Sequence, residues 1–281
     1  MQTTVEQIVG RVNELAVLPV VVYKVVELSS SAQSTAGDLE RTISIDPGFT
    51  SRLLTAANSA FYALPRKVAS IRDAIMFLGF KQIRQLAMTV GMYDMFVGKT
   101  DRGSLRRRAW WRRSVDTAVC CAWLGRETRK SPPDDAYTCG LLHLIGKTLL
   151  DRFGNAPYDQ VEEEIARGIS DLDAERGVYG CDHIELGVAA AQKWGFPEPL
   201  LEGLKYDTPA EPDDPNGPLR ACVAVSSKIA GWAQDNGLSS AETERILPEW
   251  ALAFLELPYE RQGEIVEGGR QAIAAAASMQ L

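Results

Sequence analysis

Ala136-Tyr137-Thr138-Cys139-Gly140-Leu141-Leu142-His143-Leu144-Ile145-Gly146-Lys147-Thr148-Leu149-Leu150 is a stretch of helical length that is apolar on nearly every face. A helix with so little polar surface belongs in the middle of a bundle. Its glycines and the Lys147-Thr148 pair imitate a phosphate-binding loop, but five residues rather than four separate Gly140 from Gly146. Such a loop also leaves a strand, whereas Leu141, Leu142, Ile145 and Leu149 recur at helical spacing. The stretch therefore reads as one core helix, and the fold as all-α. His143, one of two histidines in the chain, reads as a core histidine satisfied by a hydrogen bond.

Upstream, the chain reads as capped amphipathic helices with short loops. Thr3 with Glu6, Thr35 with Asp38 and Ser70 with Asp73 have capping-box spacing. Leu18-Pro19 opens a helix whose Val21, Val22, Val25 and Val26 form an apolar face. Asp46-Pro47 starts another, with proline at its first position, Phe49, Leu53, Leu54 and Ala57 inward, and Asn58 to Tyr62 closing it. Asp46 or Asn58 is expected to bond backbone groups at a helix end. Gly79 separates a helix from Ser70 to Leu78 from one over Lys81 to Phe96. Residues 1–100 thus form an N-terminal helical bundle, and residues 101–281 a second helical subdomain packed with it.

Between the two, Asp101 to Ser104 reads as a linker into a run of Arg106, Arg107, Arg108, Arg112 and Arg113 around Trp110-Trp111. Arginines interleaved with aromatics suit a phosphate-binding or docking surface. The same arginines could instead pair with the acidic bulk of the chain. A helix from about Arg112 to Arg129, the Ser131-Pro132-Pro133-Asp134 break and the central helix follow. Asp182 to Glu185 has capping-box spacing, and His183, Leu186, Gly187, Ala190, Ala191 and Trp194 make one helical stripe. After a short helix around Pro197 to Lys205, the prolines between Thr208 and Pro218 mark a loop. Three more helices complete the chain: Leu219 to Gln234, Glu249 to Leu257, and a last one ending in the Ala274 to Ala277 run.

The 281 residues carry a formal net charge of -7, which argues against nucleic acid as a partner of the whole chain, because polyanion affinity rests on neutralising phosphates. There is no membrane-length apolar stretch and no leader-like N-terminus, so a cytoplasmic protein with no membrane partner is expected. The five cysteines show no Cys-x-x-Cys spacing and lie in apolar helical contexts; they read as reduced core residues.

Ile45-Asp46-Pro47-Gly48-Phe49-Thr50, Ala57-Asn58-Ser59-Ala60-Phe61-Tyr62, Ser70-Ile71 with Leu78-Gly79, Gly140-Leu141-Leu142-His143 with Ile145-Gly146-Lys147, and His183 with Trp194-Gly195-Phe196-Pro197 occur in an order and spacing that resemble the HDOD family, a degenerate branch of the HD superfamily. The resemblance covers nearly all of the chain and implies an all-α fold whose C-terminal subdomain is HD-like. It also implies a bacterial signalling or output module, accompanied in longer proteins by receiver or cyclic-dinucleotide turnover domains. The partners it implies are other signalling proteins, as for the output part of a response regulator.

The departures from catalytic HD enzymes bear on chemistry. Where those enzymes carry an early histidine this chain has Arg113 and Ser114; where they carry Asp after the motif histidine it has Leu144. A later Asp aligns with Ser226-Ser227-Lys228, and a further histidine with Lys205-Tyr206-Asp207. Only His143 and His183 remain as vestiges of a metal site, and two neutral imidazoles do not complete a ligand set for water activation. No catalytic residue, metal or cofactor is therefore expected. Arg106, Arg107, Arg108, Trp110 and Trp111 are the candidate interaction patch. A metal-dependent phosphohydrolase with rearranged ligands and a nucleotide- or nucleic-acid-binding regulator are the alternatives.

Overall fold

The computed structural model describes residues 4–15, 20–30, 33–59, 62–97, 100–234 and 246–276. Among them all regular structure is helical: α1 (Thr4–Leu15), α2 (Val20–Ser30), α3 (Ala36–Ser44), α4 (Pro47–Ala57), α5 (Ile71–Val97), α6 (Ser104–Thr128), α7 (Pro133–Leu142), α8 (Ile145–Phe153), α9 (Asp159–Ala166), α10 (Asp171–Tyr179), α11 (His183–Lys193), α12 (Glu198–Gly203), α13 (Gly217–Gln234), α14 (Glu249–Phe254) and α15 (Gln262–Ala275). The helices form two compact units, α2–α5 in one and α1 with α6–α14 and most of α15 in the other. The first helix thus lies outside the N-terminal bundle that the sequence groups it with, because it packs on α8 and α11.

In the smaller unit the local signals act as read. Thr35 and Asp38 form a full capping box on α3. Asp46 accepts from the Phe49 amide at 2.9 Å with Pro47 at the first position of α4, and Phe49, Leu53 and Ala57 are buried. Val21, Val22 and Val25 are buried on α2; Thr3, the Val26 side chain and residues 60 and 61 lie outside what is described. Asn58 receives the Val68 amide at 2.8 Å and donates to the Leu54 and Val68 carbonyls, both at 2.9 Å, so one side chain ties the end of α4 to the loop that leads into α5. Gly79 breaks α5 from within: its φ of 77° is open to glycine and strained for other residues.

In the larger unit three boundaries differ from the sequence reading. The stretch from Ala136 to Leu150 is two helices, α7 and α8, bent at His143 and Leu144. The bend has a tertiary cause: α8 begins so close to α11 that a Cβ at Gly146 would stand 1.8 Å from the His183 carbonyl oxygen. The expected helix from Arg112 starts eight residues earlier, at Ser104, and takes the basic run into its first turns. The segment between Phe153 and Cys181, left unread in the sequence, folds as α9 and α10, the latter capped by Ser170 accepting from the Asp173 amide. Cys120, Cys121, Cys139 and Cys222 sit in the core of α6, α7 and α13, and all five cysteines are free and buried.

Candidate functional site

The bend between α7 and α8 brings Lys147 to the N-terminal ends of α10 and α11, where a buried carboxylate organises everything around it. Glu175 on α10 is fully buried and accepts from the His183 amide at 2.8 Å, His183 Nδ1 at 2.6 Å and the Tyr158 hydroxyl at 2.5 Å. The Lys147 ammonium stands 3.8 Å from its second oxygen and pairs closely with Asp171. Burial pushes the Glu175 carboxyl upward, but the His183 hydrogen bond and the charges of His183 and Lys147 outweigh it and hold the group below the usual carboxylate range. Asp171 behaves alike: burial raises it, and Lys147 brings it below its ordinary value.

With Nδ1 donating to Glu175, His183 turns Nε2 toward the Tyr206 hydroxyl, 2.9 Å away. Tyr206 lies between the two histidines, its ring centroid 5.3 Å from that of His143 and 6.4 Å from that of His183. Burial, and then the neighbouring Asp207, raise its phenol well above the ordinary value, so the hydroxyl keeps its proton. His143 donates from Nδ1 to the Gly140 carbonyl at 2.7 Å, so the expected hydrogen bond holds one ring nitrogen, while its buried Nε2 has no partner among the described residues. Its burial drives its pKa well below 6.5, and the ring is neutral.

These residues do not fit a divalent metal. Both ring nitrogens of His183 are engaged, and Leu144 offers no side-chain donor. Among the described residues, no three His, Cys, Asp or Glu side chains stand together as a metal-holding group.

Instead the site opens into a cavity of about 610 Å³, floored by His183 and Tyr206 and walled by α6, α10, α13 and α14. Arg113, which the sequence shows only as a departure from histidine, lines it. Its Nη2 donates to the Ser227 carbonyl at 3.3 Å, and its buried Nε has no partner among the described residues.

The candidate patch divides. Arg106 pairs with Asp151 at 3.2 Å, with Glu162 at 2.6 Å and with Asp159, and its guanidinium lies 5.7 Å from the Tyr158 ring centroid. Arg107, 2% exposed, pairs with Asp101 at 2.7 Å and Asp151 at 2.5 Å. Trp111 is buried. These three are therefore corrected from a docking surface to interior and ionic anchors of α6. Trp110 is half-buried against Tyr158, centroids 4.8 Å apart, and lines the cavity; Arg108 is exposed. The sequence reading missed Glu175, Lys147 and Asp171 as members of the site. The one available signal was the Ser170-to-Asp173 cap that starts α10.

The sequence model of the HDOD domain matches residues 15–209. A structure of an HDOD domain protein with unknown function from Geobacter sulfurreducens is 24% identical, with a TM-score of 0.71, covering 98% of this chain and 93% of that one. A candidate phosphohydrolase of Shewanella amazonensis SB2B is 22% identical, also with a TM-score of 0.71, covering 98% of both chains. An uncharacterized protein of Treponema pallidum (strain Nichols) is 22% identical over 267 residues, 91% of this chain. The chain spans about half the length, 48%, of that curated relative. At these identities the structural likenesses show the fold.

Proposed function

The chain belongs to the HDOD family, and on that premise we propose that it works without catalysis, as a bacterial signalling module that acts by binding other signalling proteins. The observation that carries the reading is the Tyr206 hydroxyl on His183 Nε2, with Glu175 on Nδ1. A histidine spent on both sides has no lone pair for a metal, and a tyrosine with its proton held is a filler rather than a ligand. Water activation at this site would need the tyrosine displaced and at least two further donors supplied. In a longer protein the module would take its signal from a receiver or cyclic-dinucleotide domain and act as the output part of a response regulator.

The partner surface we assign to what remains outward on the first turns of α6, where Leu105, Arg108 and Ala109 are exposed, Leu105 at 78%. Two experiments test the reading. Turnover of p-nitrophenyl phosphate with manganese, iron or zinc should not exceed that of the metal alone; stoichiometric metal and turnover, both lost on His143→Ala, would overturn it in favour of a phosphohydrolase with rearranged ligands. Partner recovery from the native host should fall with the Leu105→Glu, Arg108→Glu double variant, and unchanged recovery would remove α6 as the surface.

A further inference from the structure

We propose that the cavity over His183 and Tyr206 is a metal-independent binding site for a small phosphorylated ligand that carries a planar ring, a nucleoside monophosphate being the simplest of the class. The proposal rests on the non-catalytic reading in one respect, that the ligand is held as a signal and not turned over.

Three cations line the cavity: Arg113, Lys147 and Lys228. Lys147 is committed to Asp171 and Glu175. Arg113 and Lys228 make no contact ion pair among the described residues, although the charge of Arg113 is felt by Asp171, in a chain whose net charge is -7 and whose neighbouring arginines, Arg106 and Arg107, each hold at least two carboxylates. A half-buried guanidinium that spends one of its five donors on a carbonyl, with Nε buried and unpaired, is costly to keep unless an anion visits it. Guanidinium and ammonium side by side suit a phosphate, the first by its fork and the second as a point charge. Both line the cavity beside His183 and Tyr206, so two fixed positive side chains face the same space.

The lining also supplies flat apolar surface. Trp110 and Trp250 face the cavity and are only partly covered by Tyr158 and Phe254, each in an edge-on contact. Indole side chains in the lining beside a phosphate site favour a planar ring over an aliphatic ester. About 610 Å³ falls within the range of small-molecule pockets and exceeds what inorganic phosphate alone would fill. Of the lining carboxylates, Asp171 is paired with Lys147, and Asp207 is exposed to solvent.

The test is calorimetric titration of the full chain with AMP, GMP, adenosine and inorganic phosphate in the presence of EDTA. We expect AMP or GMP to bind, adenosine and phosphate to bind more weakly, and Lys228→Glu to lower nucleotide affinity about tenfold or more. Arg113→Met should lower it further, while Lys193→Ala, which removes an exposed cation elsewhere, should leave it unchanged. Lys228 is exposed, so its variant keeps the test valid if Arg113→Met fails to fold. No heat with either nucleotide at about 1 mM, or affinity that survives both variants, overturns the site; equal affinity for AMP and phosphate overturns the ring. Hydrolysis of bound nucleotide on adding manganese would overturn the non-catalytic reading and leave the site standing. Lack of both binding and hydrolysis does the reverse.

Discussion

The hydroxyl of Tyr206 stands 2.9 Å from Nε2 of His183, the nitrogen that would otherwise be open to a metal or a ligand. The pair closes a chain of hydrogen bonds that runs through Glu175 to the Tyr158 hydroxyl. Removing the tyrosine oxygen should therefore cost more than a typical exposed hydrogen bond. For Tyr206→Phe we expect a loss of ~1–3 kcal/mol, the range for leaving a buried polar atom unsatisfied. Urea denaturation with an unchanged slope is the measurement; a change within error would show that the phenol contributes only its ring.

Acid should weaken the larger unit in two stages. His143 is neutral and buried with its pKa well below 6.5, so the unfolded chain binds a proton that the folded one refuses, and stability falls as pH drops below about 6.5. Glu175 has its folded pKa below the ordinary value, so its contribution is present above that value and is lost as pH falls through the folded pKa. Each proton adds a slope of ~1.4 kcal/mol per pH unit within its window. Denaturation midpoints at pH 7.5, 6.5 and 5.5 should fall in the wild type and fall less in His143→Gln. Parallel curves would show that His143 titrates alike in both states.

Asn58→Ala should destabilise the smaller unit by about 2 kcal/mol, because the Val68 amide and carbonyl lose the Asn58 side chain together, while the Leu54 carbonyl keeps the backbone amide of residue 58. Asn58→Asp keeps the acceptor for the Val68 amide and loses both donors, so it should fall nearer to alanine than to the wild type. Thermal melting of the three proteins orders them, and an aspartate variant equal to the wild type would mean that the carbonyl bonds carry little.

The pattern of what the sequence discloses follows from the range of each force. Thr35 with Asp38, Asp46 with Pro47, and Asp182 with Glu185 act within one turn, and each cap stands where its spacing puts it. The stripe from His183 to Trp194 is buried as its period requires. The bend at His143 and Leu144 is not written locally, since apolar residues at helical spacing continue through it. It is imposed by His183, whose carbonyl crowds Gly146 from 37 residues away. Glu175 was illegible for a related reason: a glutamate on a short polar helix looks solvated until α11 folds over it. The basic run shows the opposite error, where composition suggests a surface and Asp151 with the acidic segment from Asp159 draws the arginines inward.

That inward pairing makes a last prediction about α6. Asp151, whose side chain is 5% exposed, holds both Arg106 and Arg107 from α8, and Arg107 is 2% exposed. Replacing one partner of a buried pair leaves the other charge desolvated and uncompensated. Asp151→Asn should therefore cost ~3 kcal/mol or more, since it takes a 5% exposed carboxylate from a guanidinium that is 2% exposed. Glu162→Gln, which removes a 52% exposed carboxylate from Arg106, should cost within ~0.5 kcal/mol, as exposed pairs do. A second substitution, Arg107→Met in the Asp151→Asn background, should restore part of the loss by removing the stranded charge. Chemical denaturation of the four proteins decides the matter: equal costs for Asp151→Asn and Glu162→Gln would mean that water reaches Arg107, and the basic run would return to being a solvated surface free to dock.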